Sequence, residues 1–236
     1  MSSRMRYRIL IPGLAVVLTL FALPAFPQAY VIDTKHNLSS TAGADQIVDR
    51  SIDEDQICIF CHTPHYASPA APLWNHTATL TASYGVYASP TLDASDITDI
   101  GGLTDVSSLC MSCHDGTVGV NSLGNPSNDL GANPTMGSGT ELDATGKIVA
   151  TRPSNLGSDL MNDHPVNFTF DAALATADGG LATPVSAQYV DAAQEVPLFT
   201  AKVQCASCHD PHDNTNSPFL VKSNTGSGLC LTCHQK

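Results

Sequence analysis

The sequence predicts a mostly irregular, loop-rich fold with short α-helices and a few short β-strands. Three observations predict it. No stretch repeats apolar residues at helical spacing long enough to build a long amphipathic helix. Turn-forming Gly, Asn, Ser and Pro crowd the middle of the chain, as in Gly124-Asn125-Pro126 and Asn133-Pro134. Aromatic residues make up only 6% of the 236 residues, too few for the polypeptide to fill an ordinary core alone.

The chain opens with Arg4, Arg6 and Arg8, an uncharged apolar run from Ile9 to Leu23, and then Pro24, Ala25, Pro27 and Ala29. A basic start, a short apolar run and a small-residue exit predict a secretory signal peptide over 1–29, cleaved after Ala25 or Ala29. A membrane anchor is the alternative, but the run falls short of the roughly 20 residues a span needs and contains Pro12 and Gly13. Removing 1–29 takes away three arginines and no acidic residue, so the formal charge of −12 becomes −15. Such acidity argues against nucleic acid as a partner. No further membrane span is expected in the mature chain.

Short helices are expected to lead into cysteine pairs. Ser51 or Asp53 can cap one before Cys58, Asp105 or Ser107 one before Cys110, and Ser227 one before Cys230, with Gly116 ending the second. Asp143-Ala144-Thr145-Gly146 suggests a hairpin turn before a strand at Lys147 to Ala150. Val166, Phe168 and Phe170 alternate with Asn167 and Thr169, which suggests a half-buried strand.

An exported chain with eight cysteines would suggest disulfides. The spacing rejects them. The cysteines fall as Cys58/Cys61-His62, Cys110/Cys113-His114, Cys205/Cys208-His209 and Cys230/Cys233-His234, so every one belongs to a C-x-x-C-H unit. That unit is the attachment signal for c-type haem. Residues three apart share one helix face, so both thiols can reach one porphyrin, and the adjoining histidine can bind its iron. A zinc site does not require a histidine after every second cysteine. A thioredoxin-like pair would occur once, near a βαβ pattern. Four covalently bound haems c are therefore expected.

Nine histidines are present. His62, His114, His209 and His234 are the expected proximal ligands, which leaves His36, His65, His76, His164 and His212. Eight suffice for histidine on both faces of every iron, and methionine is scarce, so low reduction potentials are expected. His65 and His212 follow proximal histidines in H-x-P-H and are read as distal ligands of a different haem. His36 and His164 are read as the remaining distal ligands. His76 is the spare, able to replace His36 or to pack against a haem edge beside Trp74.

The pattern is duplicated. A first two-haem half is expected over 30–116, a Gly/Asn/Pro-rich connecting region over 117–162, and a second two-haem half over 163–236. Cys58 to Cys110 spans 52 positions but Cys205 to Cys230 only 25. With little polypeptide core available, the macrocycles must supply most of the buried apolar area, and the haem-free chain is not expected to fold.

The C-x-x-C-H-D-P-H … L-C-x-x-C-H arrangement, with Asp163-His164-Pro165 ahead of it, resembles the doubled CxxCH family of multihaem cytochromes c. The Lys35-His36-Asn37-Leu38-Ser39 start, C-I-F-C-H-T-P-H and Leu73-Trp74-Asn75 extend the likeness to extracellular tetrahaem cytochromes that assemble into filaments. The resemblance implies bis-histidine haems stacked continuously between identical subunits. It also implies one distal histidine from a neighbouring subunit, for which position suggests His36. Its further implications are other multihaem cytochromes as electron donors, acceptors such as metal oxides, and a secreted, cell-surface location. Electron transfer is the expected function, with no enzymatic activity. A monomeric periplasmic shuttle is one alternative. A multihaem reductase is another, but it would need an open iron, often marked by C-x-x-C-K, and that variant is absent. A haem-based sensor would need a signalling domain for which no residues remain.

Overall fold

The computed structural model describes residues 30–67, 73–98, 100, 105–127 and 129–235. The expected signal peptide over 1–29 lies outside the described residues. Among the described residues there are four α-helices: α1 (Val106–His114), α2 (Ala172–Asp178), α3 (Cys205–Cys208) and α4 (Cys230–Cys233). One antiparallel pair joins β1 (Phe168–Thr169) to β2 (Lys202–Val203), with Phe168 opposite Val203 and Thr169 opposite Lys202. Short 3-10 turns cover Val31–Asp33, Ile57–Phe60 and Thr225–Ser227. The remainder of the described chain is loop held by isolated bridges.

The helix starts follow local chemistry unevenly. Asp105 caps α1 by accepting the Ser108 amide at 2.9 Å, and the Ser108 hydroxyl accepts the Asp105 amide at 3.2 Å, a reciprocal capping box. Gly116, at φ +69°, turns the chain out of α1, and its N–H donates to the Cys113 carbonyl at 3.1 Å. The other two expected caps are corrected. Ser51 and Asp53 face Glu54 and Thr135, and Gln56 precedes the turn at Ile57 without a side-chain cap. Ser227 falls inside a 3-10 turn, and Asn224 instead accepts the Leu229 amide ahead of α4. α2 was not foreseen: Asp171 caps it by accepting the Ala173 and Leu174 amides, and Gly179 ends it at φ +68°.

Two of the expected strands contract. Lys147 to Ala150 makes a single bridge, Leu142 to Ile148, above the turn that Asp143 organises by accepting the Thr145 and Lys147 amides. The alternating Phe168 and Phe170 are buried as expected, but their strand is only two residues long, because Asn167 just before it leaves the extended region at φ +62°.

The apolar core is divided. One cluster gathers Phe168, Phe170, Val190, Val196, Leu198, Val203 and Leu229 against Cys208 and Cys233. A smaller one holds Tyr84, Ile100, Met111 and Leu160. Elsewhere side chains replace the missing ladders by satisfying backbone groups, which a buried loop requires. Asn75 donates to the Ile59 and Asn125 carbonyls at 2.7 and 3.0 Å and accepts the Asn125 amide at 2.8 Å.

The 117–162 region is a scaffold for the N-terminal segment. Glu141 accepts from the Val48 amide at 2.6 Å and from Lys35 at 3.0 Å, with Arg152 at 3.5 Å. Asp49 accepts the Glu141 and Leu142 amides at 2.7 and 2.9 Å. The stretch bearing His36 is thereby fastened to residues that follow α1.

Candidate haem-binding sites

Each C-x-x-C-H unit is a single helical turn clasped by extended chain. In the first, third and fourth units the histidine amide donates to the carbonyl of the first cysteine: His62 to Cys58, His209 to Cys205 and His234 to Cys230, at 2.8–3.0 Å. The same three histidines form antiparallel bridges, with Trp74, Leu220 and Leu181 respectively. In the second unit, the last turn of α1, the Leu156 amide donates to the His114 carbonyl at 2.7 Å. These clasping segments have no motif of their own, so the sequence did not announce them.

Successive units adjoin one another. Cys61 and Cys113 are close enough for the charge of one thiolate to oppose ionisation of the other. Cys110 and Cys205 are within hydrogen-bonding reach. Gln204 reinforces that junction: it accepts from the Ser107 hydroxyl, which in turn accepts the Cys205 amide at 3.0 Å. Cys208 in turn feels the charge of Cys230. None of the eight cysteines is joined to another in a disulfide. Burial pushes Cys61 and Cys113 up to about 12 and Cys233 to about 11, which makes poor nucleophiles of them, whereas the hydrogen bond with Cys110 lowers Cys205 to about 7.

The histidines fall into facing pairs. His36 and His114 have ring centres 6.2 Å apart, His62 and His212 6.1 Å, and His164 and His234 6.3 Å. A metal–imidazole bond is about 2.0–2.1 Å and a ring nitrogen lies about 1.1 Å from its ring centre, so two imidazoles clasping one ion stand roughly 6.3 Å apart. The observed gaps fit one ion each. Among the described residues no three His, Cys, Asp or Glu side chains converge on a metal position. Zinc would need about four converging protein ligands, whereas an iron already held by a porphyrin needs only the two axial ones.

On four of these six rings Nδ1 faces an oxygen, as good ligands require. Nδ1 of His114 faces the Ser154 carbonyl at 2.7 Å, that of His164 the Pro165 carbonyl at 2.8 Å, and that of His36 the Pro211 carbonyl at 3.3 Å. His212 Nδ1 faces Asp210 at 3.1 Å, and His209 Nδ1 faces the Pro218 carbonyl at 3.1 Å. A donor N–H at Nδ1 leaves the Nε2 lone pair for iron. Burial, then the nearby His114, pushes His36 down to about 4, so it is a neutral base at pH 7.

His76 differs. It is 3% exposed, and both of its nitrogens face carbonyls, of Thr77 and Gly119, at 2.9 Å. The ring is wedged between those carbonyls and the Cys113 thiol, which lies 3.4 Å from Nε2, and it is His36 whose ring centre stands 6.2 Å from that of His114. His65 and His209 are exposed, and among the described residues no histidine ring stands opposite either.

Residues 198–236 match the Doubled CXXCH motif family. The match covers the third and fourth units, from just before β2 to the end of the chain. No curated protein matches the chain. The doubled motif is the signature of multihaem c-type cytochromes, with iron held in covalently bound haem. The first and second units, which lie outside the matched stretch, repeat the same spacing, the first on a 3-10 turn and the second at the end of the nine-residue α1.

Proposed function

We propose that this protein is an exported electron carrier with four haems c, each iron held between two histidines, and that its copies join end to end into an extracellular filament. The observation that carries this reading is the set of three histidine pairs at 6.1–6.3 Å, each containing one C-x-x-C-H histidine. In this reading Cys58 and Cys61 hold a haem between His62 and His212. Cys110 and Cys113 hold one between His114 and His36, and Cys230 and Cys233 one between His234 and His164.

Iron held on both faces exchanges single electrons and offers no open position for a substrate. The chain's contribution is placement. The carbonyls of Ser154, Pro165 and Pro211 fix ring orientation, and the Ser107–Gln204 junction keeps the second and third units in contact. Four successively adjoining units make a path along which electrons can pass.

The third unit, Cys205 and Cys208 with His209, needs its distal ligand from elsewhere. The duplication indicates which. His36 and His164 each face the second unit of their own half, whereas His212 of the second half faces the first unit of the first half. The equivalent of His212 is His65, whose counterpart target is His209. Within one chain the two are not paired, so His65 of one copy serves His209 of the next. Unlike the position-based choice of His36, this assignment uses a histidine without a facing ring. A contact between two different surfaces does not close on itself, and its repetition builds a filament. Other multihaem cytochromes would load the chain with electrons, and metal oxides or similar external acceptors would drain it.

The test is to isolate the native protein from the cell surface, weigh it and examine it by electron paramagnetic resonance and electron microscopy. Four haem masses, only low-spin ferric signals and filaments are expected. A chain lacking haem mass, or a high-spin centre in the assembled protein, overturns the haem assignment. Dispersed particles alone overturn the filament.

A further inference from the structure

We propose that Trp74 is a built-in hydrogen-bond donor for a carboxylate on the rim of the haem bound by Cys58, Cys61 and His62. The inference rests on the haem reading above and adds a subsite to it.

Trp74 is held firmly and next to that site. The segment from Leu73 runs antiparallel to the residues that follow the first cysteine pair. The Thr63 amide donates to the Leu73 carbonyl at 2.9 Å, the Asn75 amide donates to the Cys61 carbonyl at 2.9 Å, and Trp74 bridges His62. The buried hydrogen bonds of Asn75 and His76 pin the residues just beyond. The indole stands edge-on to the His62 imidazole, with ring centres 6.0 Å apart and planes at 81°.

Despite that order, the indole N–H is buried and has no acceptor. A buried donor without a partner is costly and rare in a folded protein, so a specific, tightly held example indicates an acceptor supplied by something else. That acceptor must lie beside the axial imidazole. A haem carries two carboxylates on its rim, and an anionic acceptor makes the stronger kind of hydrogen bond. The imidazole face is a weaker alternative, because an N–H over a ring contributes little. Trp74 thus anchors one edge of the first macrocycle and partly neutralises a negative charge near its iron. That makes the iron easier to reduce than it would be with a free carboxylate.

The chain has one tryptophan, so the indole can be observed without substitution. In the native haem-loaded protein, ultraviolet resonance Raman is expected to show the tryptophan N–H marker band in its hydrogen-bonded position. A non-bonded position overturns the proposal. In Trp74→Phe, visible resonance Raman is expected to show a shift in one propionate bending mode. A redox titration is expected to move one of the four components to lower potential and leave the other three unchanged. If the propionate modes and all four potentials stay as in the wild type, the donor serves water or the imidazole face and the proposal falls. Loss of haem mass in the wild-type protein would instead defeat the haem reading itself.

Discussion

A histidine's second nitrogen decides what its first can do. His36, His114, His164 and His212 each use Nδ1 on an oxygen and keep Nε2 for the gap opposite, whereas both nitrogens of His76 face carbonyls. The two kinds should respond differently to removal. His212→Ala is expected to turn one of four low-spin haems high-spin, with little loss of stability, because the side chain is exposed. His76→Ala should leave every spin state intact and lower stability by about 1–3 kcal/mol, since one buried carbonyl loses the single ring N–H that a neutral imidazole can offer it. Electron paramagnetic resonance reads the first outcome and denaturant unfolding the second. The attachment units were legible residue by residue, because covalent chemistry imposes a fixed local spacing. Which histidine faces which unit was not, since His62 meets His212 only after the chain has returned from its second half. The spare role of His76 was not legible either, because it depends on the Gly119 carbonyl far along the chain.

At the scale of elements, the short helices obey caps where caps exist. α1 carries Cys110 and Cys113 and is the only cysteine-bearing helix among the described residues with an acidic side-chain cap. Asp105→Ala is expected to cost about 1 kcal/mol in thermal unfolding of the haem-loaded protein. α1 was readable from Asp105 and Gly116 together. The remaining units were not, because their turns are held by distant partners such as Trp74, Leu220 and Leu181. The 117–162 region misled for a related reason. Gly, Asn and Pro mark turns, but they do not reveal that Glu141 will reach back to the Val48 amide and hold the His36 segment. Burial raises the Glu141 pKa, but the Val48 amide, then Lys35 and Arg152, outweigh it and leave the carboxyl below the usual glutamate range. A depressed pKa means a contribution that is present above the ordinary value of about 4.3 and lost as pH falls through the lower folded value. Glu141→Gln should therefore unfold more easily than wild type at pH 7, by about 1 kcal/mol, because its amide oxygen still accepts from the Val48 N–H but lacks the charge that strengthens that bond and holds the half-exposed cations. The difference should close in acid, well below pH 4. Parallel urea titrations at the two pH values check it.

Among the described residues the apolar core is two small clusters in a structure otherwise made of hydrogen-bonded loop. In the proposed reading, flat apolar groups held by the histidine pairs would supply the missing core, so haem attachment and folding would be one event. The same logic extends past the single chain. Mature copies, with an expected formal charge of −15, would repel one another, so a loose contact would not hold a polymer together. A coordinate bond from His65 into the neighbour's third unit would, and it is the contact the duplication calls for. His65→Ala is accordingly expected to keep three low-spin haems, to show one high-spin or water-ligated ferric centre, and to yield dispersed subunits in electron micrographs. Added imidazole should restore the fourth low-spin signal without restoring the filament, because it replaces the ligand but not the link. If His65→Ala still forms filaments with all four haems low-spin, the junction between copies is made by other residues and the assignment of His65 is wrong.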